Sequence, residues 1–371
     1  MTAIIVGAFQ TEEAEPIRRA LVRGQAQPVF FETSDQAQEA LARPETPATQ
    51  LLFVRADMHD VDAFVAWTRT QARLFAVPVV GVVVNASDRE FADAHAFGAD
   101  DVVLVTDTGG FTRRAAAVES FDPQVRPPAG QGRAVIGHPD RARRLLLGRG
   151  LRQAGFDVAF AENADELLTV AKSGAPPRIV VANGELSPGN LSVIESVRMA
   201  LSEPKLPVVM LQEPAVKQAL LQKSIELGHV ELSNEDAPPD DLVFLANELL
   251  RPDLQSVRSS SRLLYGSLCG FRPAGELRPV FGFTYNISRE GVYVRTLDAP
   301  QNGERGWLEL VPPAAMRAIH LRATVVWRGT QNAGSPPGFA MRIDEAATPP
   351  EDLRAYREGY EMLLGEKRGA A

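Results

Sequence analysis

Short apolar runs rich in β-branched residues alternate with helical patterns through the first two thirds of the chain. "AIIVGA", "PVFFE", "QLLFVRA", "VPVVGVVV" and "DVVLV" read as strands, and "EEAEPIRRAL", "DQAQEALA", "VDAFVAWTRTQA", "REFADAHAFG" and "GFTRRAAAVE" as the helices that follow them. Continuous apolar runs of this kind belong to strands buried on both faces, so the pattern predicts a parallel sheet covered by helices on each side. After the Pro/Gly-rich "FDPQVRPPAGQGR" the order begins again with "AVIG" and "RARRLLLGRGLRQAG", and it closes on "HVELS" and "PDDLVFLANELL". Val6 recurs as Ile136, Pro78 as Pro207 and Gly98 as Gly228, a period of roughly 130 residues. Two tandem (βα)5 units are therefore expected.

The pattern then changes. "LLYGSLCGF", "VFGFTYNIS", "GVYVRTL", "RGWLELVP", "IHLRATVVWR" and "GFAMRI" alternate apolar and polar positions with Gly and Pro at the turns, which predicts a small antiparallel barrel of six strands. In "TPPEDLRAYREGYEMLLGEKRG", Thr348 is the expected N-cap and Pro350 lies in the first turn. Leu353, Tyr356, Tyr360, Leu363 and Leu364 fall at helical spacing, so one amphipathic helix should close the chain against the barrel or a second copy. The expected domains are 1–121, a linker at 122–132, 133–251, the barrel at 252–346, and the helix and tail at 347–371.

Composition narrows the class. Of 371 residues 45% are hydrophobic, enough for several cores, and no apolar stretch is long enough for a transmembrane helix. The start "MTAIIVGAFQTEEAEP" lacks a basic flank and does not read as a signal peptide. A single cysteine, Cys269, excludes an internal disulfide framework and fits a reducing compartment, so a cytoplasmic location is expected. Cys269 sits in a strand run and reads as a small buried residue. The formal charge is −8, yet residues after 250 carry 16 Lys and Arg against 13 Asp and Glu, nearly all of the cations being arginine. Five histidines, His59, His95, His138, His229 and His320, show no metal-ligand spacing, and no catalytic motif such as GxSxG or a P-loop occurs. The chain reads as no enzyme and needs no metal or cofactor. A spread of arginines over short strands, with no basic recognition helix, also argues against nucleic-acid binding.

The order of the two α/β units, with Pro opening the fourth strand and "GADD" leading into the fifth, resembles the receiver domains of bacterial response regulators, a flavodoxin-like fold. That resemblance implies an acidic pair after the first strand, an acceptor Asp ending the third, a hydroxyl after the fourth and a Lys after the fifth. The first unit has Gly7 and Ala8, Arg55, Val83 and Val105 at these places; the second has Gly137 and His138, Asn183, Gln212, and Asn234 or Glu235. A cation cannot hold Mg²⁺ and an amide forms no acyl phosphate. Both units are expected to be pseudo-receivers that bind a protein partner.

The third segment resembles a PilZ domain. It has an R-x-x-x-R pair, Arg258 and Arg262, before the first barrel strand, then Asn286, Ser288 and Gly291 in an [D/N]-x-S-x-x-G motif, then "TVVWR" and "GFAMRI". The resemblance implies a receptor for cyclic di-GMP, a ligand with two phosphates and two guanines. Arginine pairs bidentately with phosphate or with the guanine O6/N7 edge. Asn286 would read a base edge, Ser288 would supply a hydroxyl, and Gly291 would allow a positive φ or close approach to the ligand. The alternative is a scaffold that keeps the fold without nucleotide and acts through protein contacts, as in motility or polarity. A homodimer is a further expectation.

Overall fold

A computed structural model describes residues 1–367 apart from 44–45, 47, 72, 76, 86–87, 120–129, 187–190, 251–259 and 330–334. The first unit alternates β1 (Thr2–Val6), α1 (Thr11–Arg23), β2 (Gln27–Phe31), α2 (Ser34–Ala42), β3 (Thr49–Arg55), α3 (Val61–Thr70), β4 (Val79–Val83), α4 (Asp88–Ala96), β5 (Asp101–Leu104) and α5 (Thr108–Glu119). Its strands form a parallel sheet in the order β2-β1-β3-β4-β5. Alternate residues of one strand enter opposite cores: Ile4, Val6, Leu52 and Val54 on one face, Ala3, Ile5, Leu51 and Phe53 on the other. The continuous apolar runs thus follow from burial on both faces.

The second unit repeats this plan as β6 (Arg133–Gly137), α6 (Arg141–Gln153), β7 (Asp157–Ala161), α7 (Ala164–Lys172), β8 (Pro177–Asn183), α8 (Ser192–Leu201), β9 (Val208–Gln212), α9 (Pro214–Leu227), β10 (Val230–Asn234) and α10 (Pro239–Leu250). Its sheet order, β10-β9-β8-β6-β7, is that of the first. Local devices repeat as well. Thr33 and Asn163 cap α2 and α7 by accepting from the Gln36 and Glu166 amides. Pro78 and Pro207 accept from Leu52 and Val180 at 2.9 and 3.0 Å.

The barrel strands are β11 (Leu263–Leu264), β12 (Leu268–Pro273), β13 (Val280–Ser288), β14 (Gly291–Arg295), β15 (Arg305–Leu310), β16 (Ile319–Gly329) and β17 (Gly338–Ile343). The order β13-β12-β15-β16-β17-β14 closes through the β13–β14 pairing, which makes six strands, and β11 adds a two-residue strand beside β13. Closure removes the sheet edges that an open antiparallel sheet would leave unpaired. Phe271 and Phe339 meet inside at 5.7 Å, and Cys269 is buried there with its thiol donating to the Gly282 carbonyl.

The last helix, α11 (Pro350–Lys367), begins with Pro350, but Thr348 does not cap it. Its hydroxyl accepts from Arg322 N–H at 3.0 Å and donates to the Asp344 carbonyl, while Pro349 supplies the carbonyl that accepts from Asp352 and Leu353. Tyr356 and Tyr360 of the predicted stripe are buried, and Gly359 packs on Pro313 of the barrel.

By packing the chain forms two compact units, one holding the first sheet and the barrel, the other the second sheet. In the first unit the barrel residue Phe283 joins one core of the sheet and Leu297 joins the other. Phe281 packs on Phe91 of α4 at 5.1 Å, and Phe283 on His95 at 4.9 Å. Between the apolar contacts lies a polar cluster. Asp100 pairs with Arg69 at 2.6 Å and with Arg295 of β14. Asp101, fully buried, accepts from Arg114 Nε at 2.8 Å, from Thr296 Oγ1 at 3.0 Å and from Leu297 N–H at 2.8 Å. Arg113 and Arg114 also reach Asp298.

Candidate functional site

Two segments distant in sequence meet at the end of the barrel. Antiparallel pairing sets Leu263 opposite Ile287 and Leu264 opposite Asn286. Continued by one residue, the register sets Arg262 opposite Ser288. Arg262 is exposed, outside the barrel core, and Arg258 lies outside the described residues.

The strap that follows Arg262 is fixed by side-chain chemistry. Thr284 Oγ1 accepts from Ser267 N–H at 2.8 Å and lies 2.6 Å from the Tyr265 carbonyl, to which it donates. The Tyr265 hydroxyl donates to the Val311 carbonyl at 2.7 Å. One threonine hydroxyl thus holds the strap to β13, two residues before Asn286.

A β-bulge falls between these positions. Thr284 pairs with Val294 and Asn286 with Tyr293, so Tyr285 is the extra residue. Such a bulge re-aims the side chains that follow it. Asn286 is 8% exposed, a buried amide flanked by the buried Tyr285 and Ile287. A second bulge, at Val326 of β16, precedes Trp327. The registers then link Leu264, Asn286, Tyr293, Ala340 and Trp327 in one row across five strands. Opposed residues share a face of a sheet. The small Ala340 lets Tyr293 and Trp327 approach to 5.7 Å, and Trp327 is 41% exposed. The row that contains Asn286 therefore runs through the buried Tyr293 to the partly exposed Trp327. In the sequence Trp327 served only as part of the "VVW" marker; strand order and the bulge at Val326 place it in this row.

The β13–β14 turn carries the other motif residues. Ser288 and Gly291 face each other across Arg289 and Glu290, and Ser288 Oγ donates to the Gly291 carbonyl at 3.3 Å. Gly291 does not have a positive φ. A Cβ there would lie 2.3 Å from the Met341 carbonyl oxygen, so the glycine is required by the close approach of β17. Within the barrel this backbone contact, not left-handed geometry, explains the residue.

The receiver-like acceptor positions hold different chemistry. Arg55 donates to Glu13 at 2.9 Å, Asp57 at 2.7 Å and the Ala8 carbonyl at 2.9 Å, and Gly7 makes room, since a Cβ there would stand 2.5 Å from the Arg55 Cβ. In the second sheet Asn183 Nδ2 lies 3.2 Å from His138 Nε2, while His138 Nδ1 accepts from Asp140 N–H at 3.0 Å. Burial, with Arg143 and Arg144 nearby, holds the His138 imidazole below its ordinary pKa. A cavity of about 540 Å³ beside it is lined by His138, Asp140, Arg143, Glu213, Pro214, Glu235 and Asp236. Among the described residues no group of three His, Cys, Asp or Glu side chains is arranged to hold a metal.

Residues 256–358 match the PilZ domain family, over the barrel, its preceding strap and the first half of α11. This segment is a PilZ domain. PilZ domains are binding and effector modules of cyclic di-GMP signalling, not catalysts. Among solved structures the chain is similar to the Bacillus subtilis inhibitor of motility MotI/DgrA (21% identity, 30% of this chain and 53% of that one, TM-score 0.26). It is also similar to the Vibrio cholerae chemotaxis protein CheY4 (20% identity, 35% and 100%, TM-score 0.26) and to a response regulator in red light signaling of R. palustris (12% identity, 33% and 95%, TM-score 0.28). The chain spans about half the length of the Bacillus subtilis protein. The search of curated proteins gave no match. The fold itself rests on the strand orders above: two receiver-like parallel sheets followed by the PilZ barrel. Within the PilZ domain, the β11–β13 register sets Leu264 opposite Asn286, directly after Arg262 and Leu263, and the β13–β14 turn sets Ser288 opposite Gly291.

Proposed function

We propose that the protein is a cyclic di-GMP effector whose PilZ domain binds the nucleotide and whose receiver-like domains engage a protein partner in the cytoplasm. The observation that supports this reading is the β11–β13 register, which pairs Leu263 with Ile287 and Leu264 with Asn286, one residue from the exposed Arg262 and from Ser288. An arginine there can pair with a phosphate or a guanine edge, and Trp327 offers a ring face for a base. Arg258 would close over the ligand from the same segment, and Gly291 would shape the turn. The receiver-like domains carry Arg55 and Asn183 at the acceptor positions, which supports a role in contact. Calorimetric titration of the full chain with cyclic di-GMP tests the reading. Arg262→Ala should weaken binding about ten- to hundredfold, the cost of one charge-assisted bidentate contact. Absence of a binding heat at about tens of micromolar nucleotide would refute it.

A second reading, a nucleotide-free scaffold, is favoured by one observation, the burial of Asn286. The same titration separates the two.

A further inference from the structure

The turn that presents Ser288 and Gly291 is held from beneath by the C-terminal helix. The Tyr356 hydroxyl lies 2.7 Å from the Ser288 carbonyl and 2.9 Å from the Gly291 carbonyl, so its one proton is shared between the two ends of the turn. Tyr356 is fully buried, and burial pushes its phenol well above the ordinary range, which keeps the proton in place as donor. On the opposite side the Glu290 carbonyl accepts from Ile343 N–H at 2.9 Å. The helix is itself fastened to the barrel: Asp352 accepts from His320 N–H at 3.0 Å and pairs with Arg317 at 2.8 Å, and Arg357 pairs with Glu345.

We propose that Tyr356 is a positioning residue for the nucleotide site, and that through it helix docking and ligand binding are linked. This rests on the nucleotide reading above. A hydroxyl that bridges both ends of a two-residue turn fixes the distance between them, and with it the direction of Ser288 Oγ. Linkage is reciprocal: a helix that favours the ligand-competent turn is in turn favoured by the ligand. The helix is then the part of the PilZ domain that registers occupancy.

The test uses the full chain and the variants Tyr356→Phe, Ser288→Ala and their combination. Tyr356→Phe keeps the buried ring and removes only the oxygen. It should lower cyclic di-GMP affinity about five- to tenfold, the size of one lost hydrogen bond. It should also speed hydrogen exchange at residues 289–291 while leaving the first sheet unchanged. In the Ser288→Ala background the same change should cost much less affinity, because the two residues act as one unit; a purely structural bond would give additive losses. Additive losses, or unchanged affinity in Tyr356→Phe beside a wild type that binds, would overturn the inference alone. A wild type that does not bind would overturn the nucleotide reading and this inference with it.

Discussion

Arg114 and Asp101 form a two-point ion pair inside the first unit, Nε to Oδ2 at 2.8 Å and Nη2 to Oδ1 at 3.2 Å, with neither side chain more than 2% exposed. The carboxylate also accepts from the Leu297 amide and the Thr296 hydroxyl, so one acidic side chain ties β5 and α5 to the segment after β14. Burial raises its pKa, yet every neighbour presents a donor, an arrangement that suits the ionised form.

Asp101→Ala should therefore destabilise the first unit by about 3 to 5 kcal/mol, because it takes from Arg114 its two-point partner and leaves the buried guanidinium only the longer ion pair with Asp298. Urea unfolding followed by Trp fluorescence checks this. A loss under about 1 kcal/mol, typical of exposed pairs, would show the cluster to be dispensable.

Acid should act on the neighbouring pair. Burial alone would raise the Asp100 carboxyl, but the Arg69 and Arg295 charges and the Val79 amide more than offset it, and the net shift is downward. A depressed carboxyl contributes its stability above the unfolded value, about 3.9 for Asp, and loses it as pH falls through the lower folded value. As pH falls below about 3.9, stability should drop less steeply in Asp100→Asn than in the wild type, although the variant is weaker at neutral pH.

Gly291→Val should lower barrel stability by about 1 to 3 kcal/mol, the usual cost of overpacking, since its Cβ would meet the Met341 carbonyl. Thermal melting without nucleotide measures it. Unchanged melting would mean that β17 can withdraw and that any loss of binding comes from the ligand side.

Acetyl phosphate with Mg²⁺ should add no phosphoryl group to either receiver-like domain. Arg55, held by Glu13 and Asp57, and Asn183, beside His138, occupy the acceptor positions. Intact mass before and after incubation decides it, and a gain that disappears in Asp57→Asn would make Asp57 the acceptor.

Patterns within single elements were readable from the sequence. The apolar strand runs and the matched Pro78 and Pro207 disclosed the doubled α/β plan, and Gly and Pro at the turns disclosed the barrel. Pairing between distant segments was less readable. Nothing in "GADD" distinguishes a solvated loop from Asp100 and Asp101 gripping Arg295 and Leu297 almost two hundred residues later. Phe281 and Phe283 looked like ordinary strand residues, yet they face the first sheet domain. At the candidate site the motif named Arg262, Asn286, Ser288 and Gly291, but the reason for Gly291 lay in Met341 on another strand. Thr348 followed a sound capping rule and was taken instead by Arg322 and Asp344, a tertiary demand that local sequence does not show.

The seating of the barrel beside β5 bears on how the chain can be divided. β5 is the last strand of its sheet, and a bare terminal strand offers unpaired amides and carbonyls to other chains. Here the Asp101 side chain at its start is occupied by Thr296 and Leu297, and Phe91 on the adjoining helix is covered by Phe281. Cut free of the barrel, residues 1–123 would bare that margin and its aromatic rings together, and the fragment should clump during purification where the whole chain stays dispersed.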